Sequence, residues 1–355
     1  MRPTWLIKAK PHVSALLLLA FGSGFAPLEA AEGQLQFSSY FDSNVREDIS
    51  APDQTLGLTL RGRLSHEIQS SKLNIFGELL TQANLDAIYL EEESKLILSA
   101  DSNLRYSLSR NLYILGGLSH FRKSFSSRNG SYQLTECSTF LQFFPGPGYI
   151  GWLGYRYRGK TLEAGANYRF SENDLEIRGR YDINPRIFLE GTFSQSNIVH
   201  TDFNALGVED DASLVFLEDP QQDQGTEGLL HLRYQGKAII GAQIGIGTIE
   251  SNSAIGEYSQ CSYRIYLTGQ LGPLTFYHAV FHRIDKQYQY PGLEGESRYR
   301  DPEEPTQNLL HLRLERILNN HSIGYLQVSL LENETIFSQR YYDKTMIEVG
   351  IKYDL

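Results

Sequence analysis

The segment TLGLTLRGRLS, from Thr55 to Ser65, alternates between apolar and polar side chains. Leucine stands at every second position from Leu56 to Leu60 and again at Leu64, whereas threonine, arginine and serine stand on the opposite parity. Successive side chains of a β-strand point to opposite faces of the sheet. The segment therefore predicts a strand with one apolar and one polar face.

The same alternation recurs along the chain from residue 34 onward. LLHLRYQ (229–235) returns almost unchanged as LLHLRLE (309–315). We count about seventeen such segments up to Leu355, and no segment with convincing helical periodicity. Tight turns alternate with longer polar connections, notably 197–227 and 285–306. This layout is typical of an all-β, up-and-down antiparallel barrel whose two rims differ.

The first thirty residues show the three parts of a secretory signal peptide. Positive charges at Arg2, Lys8 and Lys10 precede the apolar run ALLLLAFGSGF (15–25), and small residues follow, so we expect cleavage after Ala30. The apolar run is too short for a good spanning helix, although an N-terminal membrane anchor is the alternative. We predict a signal peptide over 1–30 and a single barrel domain over 31–355.

Composition and aromatic placement narrow the class of protein. The net charge of −10 argues against nucleic acid as a partner, and two cysteines in an exported chain argue against a disulfide scaffold. A soluble β-sandwich or propeller would leave sheet edges to protect, whereas closure removes them. Aromatic residues on apolar faces near strand ends favour the interfacial girdles of a membrane barrel. They are Tyr106, Tyr155, Tyr157, Tyr168, Phe170, Tyr181 and Tyr353.

The last eight residues, EVGIKYDL, resemble the C-terminal assembly signal of Gram-negative outer-membrane β-barrel proteins. Glu348, Gly350, Tyr353 and Leu355 occupy its polar, glycine and two hydrophobic positions, with leucine where family members most often carry phenylalanine. The resemblance is porin-like and assigns no subfamily. It implies the cell outer membrane, contact with its lipid and lipopolysaccharide, and insertion by the barrel-assembly machinery.

The strand number follows from closure. A bacterial barrel has an even number of strands, so one of the candidates is wrong; we predict sixteen, with fourteen or eighteen open. The miscounted turn lies between about Phe144 and Gln195, where FFPGPGYIG, RYRGK, FSEND and DINPR compete. The first strand (34–43) is expected to pair with the last and close the cylinder.

If the apolar faces meet lipid, the polar faces line the lumen. The predicted pore-lining residues are Arg61, Arg63, Arg105, Arg156, Arg158, Arg169, Arg178, Arg180, Arg233, Arg264, Arg313, Glu78, Asp101, Glu163, Glu176, Glu190 and Glu315. Two interpretations stay open. In a water-filled pore clustered arginine would attract anions, whereas in a narrow barrel the same residues would form arginine–carboxylate ladders that hold the wall rigid.

Residues for catalysis or metal binding do not form a recognisable constellation. The region with the most suitable residue types is His200, Asp202, Asp210 and Asp211, but no nucleophile motif accompanies it. His278 and His282 share a strand face yet stand too far apart for one tetrahedral metal. The acidic connections are expected to be solvated loops, and the alternative is divalent-ion bridging to lipopolysaccharide or binding of a cationic solute; a calcium-loop motif is missing from the sequence. They are Glu91-Glu92-Glu93, Glu209-Asp210-Asp211, Glu218-Asp219 and Glu303-Glu304.

The sequence therefore predicts a non-enzymatic outer-membrane barrel that needs no cofactor or metal. The favoured function is passive, porin-like passage of small polar solutes, with anions as a candidate class, through an arginine-rich lumen. The alternative is a non-conducting barrel with a structural or surface-binding role, its lumen closed by ladders or by the segment 197–227. A barrel-embedded hydrolase is the third hypothesis.

Overall fold

The chain forms a closed antiparallel barrel in which neighbouring strands follow one another along the sequence. A computed structural model describes residues 31–43, 54–86, 95–125, 131–162, 168–208, 214–254, 256–289, 308–334 and 341–355. It contains sixteen strands, so the predicted number is confirmed. The predicted signal peptide lies outside the described residues.

The strands are β1 (Ala31–Asp42), β2 (Thr55–Gln69), β3 (Leu73–Asp86), β4 (Lys95–Ser109), β5 (Leu112–Phe125), β6 (Tyr132–Gly146), β7 (Tyr149–Leu162), β8 (Tyr168–Asn184), β9 (Ile187–Val208), β10 (Leu214–Gln235), β11 (Ile239–Ser251), β12 (Tyr258–Gly272), β13 (Thr275–Tyr288), β14 (Asn308–Asn319), β15 (Ser322–Glu334) and β16 (Tyr341–Asp354). Within the described part of the chain there is no helix long and apolar enough to cross a membrane.

The two rims of the barrel differ as predicted. Even-numbered strands lead into the next strand through two or three residues, whereas odd-numbered strands lead into it through five to nineteen. We call these ends the turn rim and the loop rim. The start of β1 and the end of β16 both lie at the turn rim, so the segment 197–227 belongs to the loop rim.

Two of the four competing turns are real. In the first, Gly148 adopts a φ of 76°, which glycine tolerates, and the strands turn between Gly146 and Tyr149. In the second, Asn184 Oδ1 accepts hydrogen bonds from the backbone N–H groups of Arg186 (2.8 Å) and Ile187 (3.0 Å). RYRGK lies inside β7 and FSEND inside β8, so both of those turn candidates are wrong.

The segment 197–227 is not an open loop, contrary to the prediction. β9 and β10 are each 22 residues long and stay paired far beyond the length needed to cross a bilayer. Register shifts on either side of Pro220 bend this hairpin, and its tip bonds to the β11–β12 connection: Leu206 N–H donates to Ser253 Oγ (3.1 Å) and Ala254 N–H to Leu206 O (2.8 Å). Alternation failed here because both faces of the hairpin carry polar residues.

The barrel closes where β1 pairs with β16. The register runs from Gln34 opposite Asp354 to Asp42 opposite Met346, which confirms the predicted closure. Along β16, Val349 and Ile351 point outward and are 54% and 50% exposed, whereas Glu348 points inward. The alternation read from the sequence therefore sets the two faces of the wall.

Candidate functional site

The exterior of the barrel is an apolar surface. Every strand turns at least one large apolar residue outward, with Leu58 60%, Ile177 59% and Leu153 52% exposed. A closed sheet leaves no unpaired backbone, so such a surface can lie in lipid. The chain therefore forms a closed barrel with the exterior of a transmembrane β-barrel.

Tyrosines border this apolar belt. Near the turn rim, Tyr149 and Tyr181 stack with ring centroids 4.6 Å apart, and Tyr157 stands eight residues further along β7. At about 3.3 Å per residue and a strand tilt of about 40°, that separation is about 20 Å along the membrane normal, close to the apolar band of about 25 Å on membrane barrels. The outward tyrosines include the predicted Tyr106, Tyr155, Tyr157, Tyr181 and Tyr353. Phe170 was predicted outward wrongly, since it lines an inner cavity; the Tyr168 side chain lies outside the described residues.

Nearly all predicted pore-lining residues lie on the inner face, opposite the outward leucines and tyrosines. These are Arg61, Arg63, Arg105, Arg156, Arg158, Arg178, Arg180, Arg233, Arg264, Arg313, Glu78, Asp101, Glu176, Glu190 and Glu315. Glu163 lies outside the described residues. Their part in a solute pathway stays a prediction.

Arg169 departs from that prediction. It has the outward parity of β8, and it lies beyond the apolar belt, where outward Asn173 and Ser171 are already polar. Its exposed side chain bonds to Asp202, with Nε 2.9 Å from Oδ2, and this hydrogen bond holds the pKa of the Asp202 carboxyl below its ordinary value. Beyond the belt, a polar residue no longer indicates an inward face.

Arg156 forms the centre of an ion-pair ladder on the inner wall. Its guanidinium lies 3.1 Å from Glu176 Oε2, 3.5 Å from Glu136 Oε1 and 3.8 Å from Asp174 Oδ2. The three carboxylates come from β6 and β8, on either side of β7. Because the pairing joins three strands, it holds their relative positions as well as balancing charge.

The ladder around Arg156 extends to two neighbouring arginines, Arg158 and Arg178. Arg158 bonds to Glu136 (3.2 Å) and Glu172 (3.1 Å), and Arg178 bonds to Glu176 (2.5 Å). Each guanidinium therefore faces at least one carboxylate. The predicted ladder exists on this part of the wall, and it neutralises arginines that would otherwise attract anions.

Other inward arginines stack on aromatic rings. The guanidinium carbon of Arg180 lies 3.9 Å from the Phe188 ring centroid, that of Arg313 4.1 Å from Tyr325 and that of Arg105 4.3 Å from Tyr113. Such contacts help to fix the side chains, and Arg180 and Arg313 are also ion-paired, with Asp182 (2.7 Å) and Glu315 (2.8 Å). Sequence parity found the arginines but not these partners.

The wall from β10 to β14 carries cations and histidines with fewer acids. Arg264 has no hydrogen bond or ion pair with any described residue. The histidines beside it bond within the wall: His231 Nε2 to Tyr266 Oη (3.0 Å), His278 Nδ1 to Thr268 Oγ1 (2.7 Å) and His311 Nδ1 to Ser329 Oγ (3.0 Å). Arg264 is thus free to meet a solute, and Arg233 on β10 likewise has no ion pair among the described residues.

A polar cluster joins the closing strands. The Glu348 carboxylate accepts hydrogen bonds from Ser38 Oγ and Tyr325 Oη, both at 2.6 Å, and longer ones from Gln36 and Gln327 at 3.4 Å. These donors come from β1 and β15, so one side chain of β16 bonds to both neighbouring strands. A residue predicted as part of an assembly signal also stabilises the closed barrel.

The predicted grouping around His200 takes a different form. His200 Nε2 lies 2.7 Å from Asp223 Oδ2, which sequence reasoning missed, whereas Asp202 bonds to Arg169. Ser251 Oγ donates to Asp223 (2.6 Å) rather than to the histidine, an arrangement unlike a serine–histidine–acid triad. Asp210 and Asp211 lie outside the described residues. Across the described ranges, no group of three or more potential metal ligands converges on one point.

Described residues bound two cavities along the inner wall. The larger, of about 560 Å³, is bounded by residues of β7 to β12; the smaller, of about 240 Å³, is bounded by residues of β1 to β3, β14 and β16. Charged side chains line both. A polar solute would therefore meet ionic groups of both signs inside the barrel.

Comparison with known proteins gives architecture alone. No family model and no curated protein matches the chain. Solved structures with similarity include Pseudomonas aeruginosa OccK5 (11% identity, TM-score 0.47, covering 92% of this chain and 99% of that one) and OccK11 (11%, 0.45, 92% and 96%). An anion-selective porin from Comamonas acidovorans is similar at 11% identity and TM-score 0.45, with 92% and 98% covered.

Proposed function

We propose that the protein is a passive, porin-like channel for small polar solutes with an arginine-rich lumen. The observation that carries the proposal is the contrast between the two faces of the wall: the exterior is apolar, while the interior is charged and holds two cavities. A polar interior in a closed membrane barrel suits water and hydrated solutes.

A preference for anions is the finer part of the proposal. The β6–β8 arginines are paired with carboxylates, so they contribute structure more than selectivity. The unpaired Arg264, with Arg233 also turned inward on β10, supports anion attraction on the β10–β14 wall. Fixed cations in a low-dielectric channel raise the local concentration of anions.

Conductance in a planar bilayer tests the channel. We expect stable ion currents from the folded protein, and a reversal potential in a potassium chloride gradient that indicates anion preference. Arg264→Gln should shift the reversal potential toward that of a cation-selective channel, because it removes an unpaired positive charge from the lumen. Arg169→Gln, which removes an equal charge outside the lumen, should leave it unchanged.

The outcomes separate the hypotheses. Folded protein without any current would refute the channel and support the non-conducting alternative, in which ladders hold a closed lumen. Currents with equal potentials for the Arg264 variant and the parent would refute the assignment of selectivity to that side chain while leaving the channel standing.

We also propose that the barrel-assembly machinery binds the C-terminal strand and that lipid and lipopolysaccharide cover the exterior. Tyr353 is 46% exposed and Leu355 74% exposed, so both hydrophobic positions of the motif are available from outside. Crosslinking from a photoreactive residue at position 353 during assembly tests this, and a crosslink to lipid alone would contradict it.

A further inference from the structure

The larger cavity owes its shape to small side chains on its floor. Thr192, Ser194 and Ser196 point inward from β9, and Gly225 lies beside Ser196 on β10. A Cβ at Gly225 would come 2.4 Å from Ser196 Oγ, so a side chain at this position would collide with the floor. Larger residues on β8 and β12 form the sides, which leaves a recess in the wall.

The arginines around the recess are all ion-paired, whereas some of its carboxylates lack a hydrogen-bond partner. Its lining includes the cations Arg156, Arg158, Lys160 and Arg178 and the carboxylates Glu172, Asp174, Glu176, Glu190 and Glu227. The three arginines are each bound to carboxylates at 2.5 to 3.2 Å, including Glu136 outside the lining. A ligand would therefore find these arginines already paired.

Several acceptors remain unengaged. Asp174 is only 7% exposed, and although its Oδ2 lies 3.8 Å from the Arg156 guanidinium, its Oδ1 has no hydrogen-bond partner. Glu227 and Glu190 have neither a hydrogen bond nor an ion pair with any described residue. Leaving a buried carboxylate oxygen unpaired is costly, so a donor brought by a ligand would be stabilised there.

These acceptors face one space. On β9, Ser194 pairs with Glu176 of β8 on one side and with Glu227 of β10 on the other. Two residues further along β9, Ser196 pairs in the same way with Asp174 and Gly225. Asp174 and Glu227 both line the recess. The strands β8 and β10 are separated by β9, so the two backbones stand about 9.6 Å apart. That spacing suits an organic group between the carboxylates, whereas calcium needs oxygens converging at about 2.3–2.6 Å.

We propose that this recess binds small organic cations through an ammonium or guanidinium group held by Asp174 and Glu227. The proposal rests on the proposed function in that the recess lies on the inner wall of the channel. An ammonium group donates three hydrogen bonds and carries a positive charge, which complements the carboxylate of Glu227 and the unbonded Oδ1 of Asp174. The hydroxyl groups of Ser194 and Ser196 offer further acceptors on the floor.

Calorimetry on the folded barrel in detergent micelles tests the binding directly. The probes are three four-carbon molecules of matched length: 1,4-diaminobutane, 1,4-butanediol and succinate. We expect the diamine to bind, and the diol and succinate to bind at least about tenfold more weakly, since only the diamine supplies the missing charge. Equal affinities for the diamine and the diol would overturn the proposal without any variant.

Two variants place the site. The double substitution Asp174→Asn with Glu227→Gln should weaken diamine binding by at least about tenfold. Glu67→Gln is the control: it removes one inward carboxylate near the turn rim, far from the recess, where Glu67 accepts a hydrogen bond from Asn74. It should leave diamine binding unchanged. Unchanged diamine affinity in a folded double variant would refute the assignment. A barrel that conducts but binds no diamine refutes this proposal alone, whereas one that binds diamine without current refutes the channel alone.

Discussion

Replacing Gly350 with alanine is expected to destabilise the barrel by about 3 kcal/mol, near the upper end for overpacking in a tight site. A Cβ at this position would stand 2.5 Å from Phe37 O and 2.6 Å from Tyr325 Oη. The first of these is a backbone atom of the closing strand, which cannot turn away as a side chain can. The substitution therefore forces β1 and β16 apart or displaces Tyr325 from Glu348.

Urea unfolding in lipid vesicles, followed by the fluorescence of Trp152, measures the effect. Gly179→Ala is the matched control, because Gly179 lies in a strand on the exterior with no atom within 4 Å of an added Cβ. It should change the free energy of unfolding by less than about 1 kcal/mol, with a gain as plausible as a loss since glycine weakens strands. Equal effects of the two substitutions would contradict the packing argument.

Arg156→Gln is expected to lower the free energy of unfolding by about 3 kcal/mol, because it leaves inward carboxylates without their shared cation. Glu136, Asp174 and Glu176 all lie within 3.8 Å of the guanidinium, and its side chain is only 26% exposed. Glu136 and Glu176 would keep Arg158 and Arg178 as partners, whereas the buried Asp174 would lose its cation. The loss should shrink as the pH falls and these carboxylates take up protons.

Arg63→Gln provides the comparison in the same unfolding assay. Arg63 also forms an ion pair inside the barrel, with Glu78 at 2.6 Å, but its side chain is 48% exposed. An exposed pair is worth less than about 1 kcal/mol because water screens it. If both arginine substitutions cost the same, the ladder around Arg156 is not a cooperative unit.

Sequence reasoning recovered the features that depend on alternation within the membrane. Outward leucines, inward arginines, closure by the last strand and unequal rims all follow from a two-sided wall in which one side must be apolar. At Arg169 and along the β9–β10 hairpin, the strands extend beyond the apolar belt and carry polar residues on both faces. The alternation of residue types there does not indicate which face points inward. The two errors there have this one cause.

The partners of inward residues could not be read from the sequence. Arg156 meets Glu136 because β6 and β7 turn at Gly148 with a given register, and a shift of that register would exchange every cross-strand pair. The recess depends likewise on small residues from β9 and β10 lying side by side. Alternation finds the face of a residue, whereas register decides its neighbours.

The pairing of β1 with β16 has a kinetic consequence. Every other neighbouring pair of strands is joined by a short stretch of chain, but Gln34 and Asp354 meet across 320 positions. Contacts between distant residues form slowly because the intervening chain must be ordered first. Until they form, two strand edges remain open to pairing with other chains. We therefore expect closure to limit the rate of folding, and the seam between the first and last strands to be where an unfinished barrel aggregates.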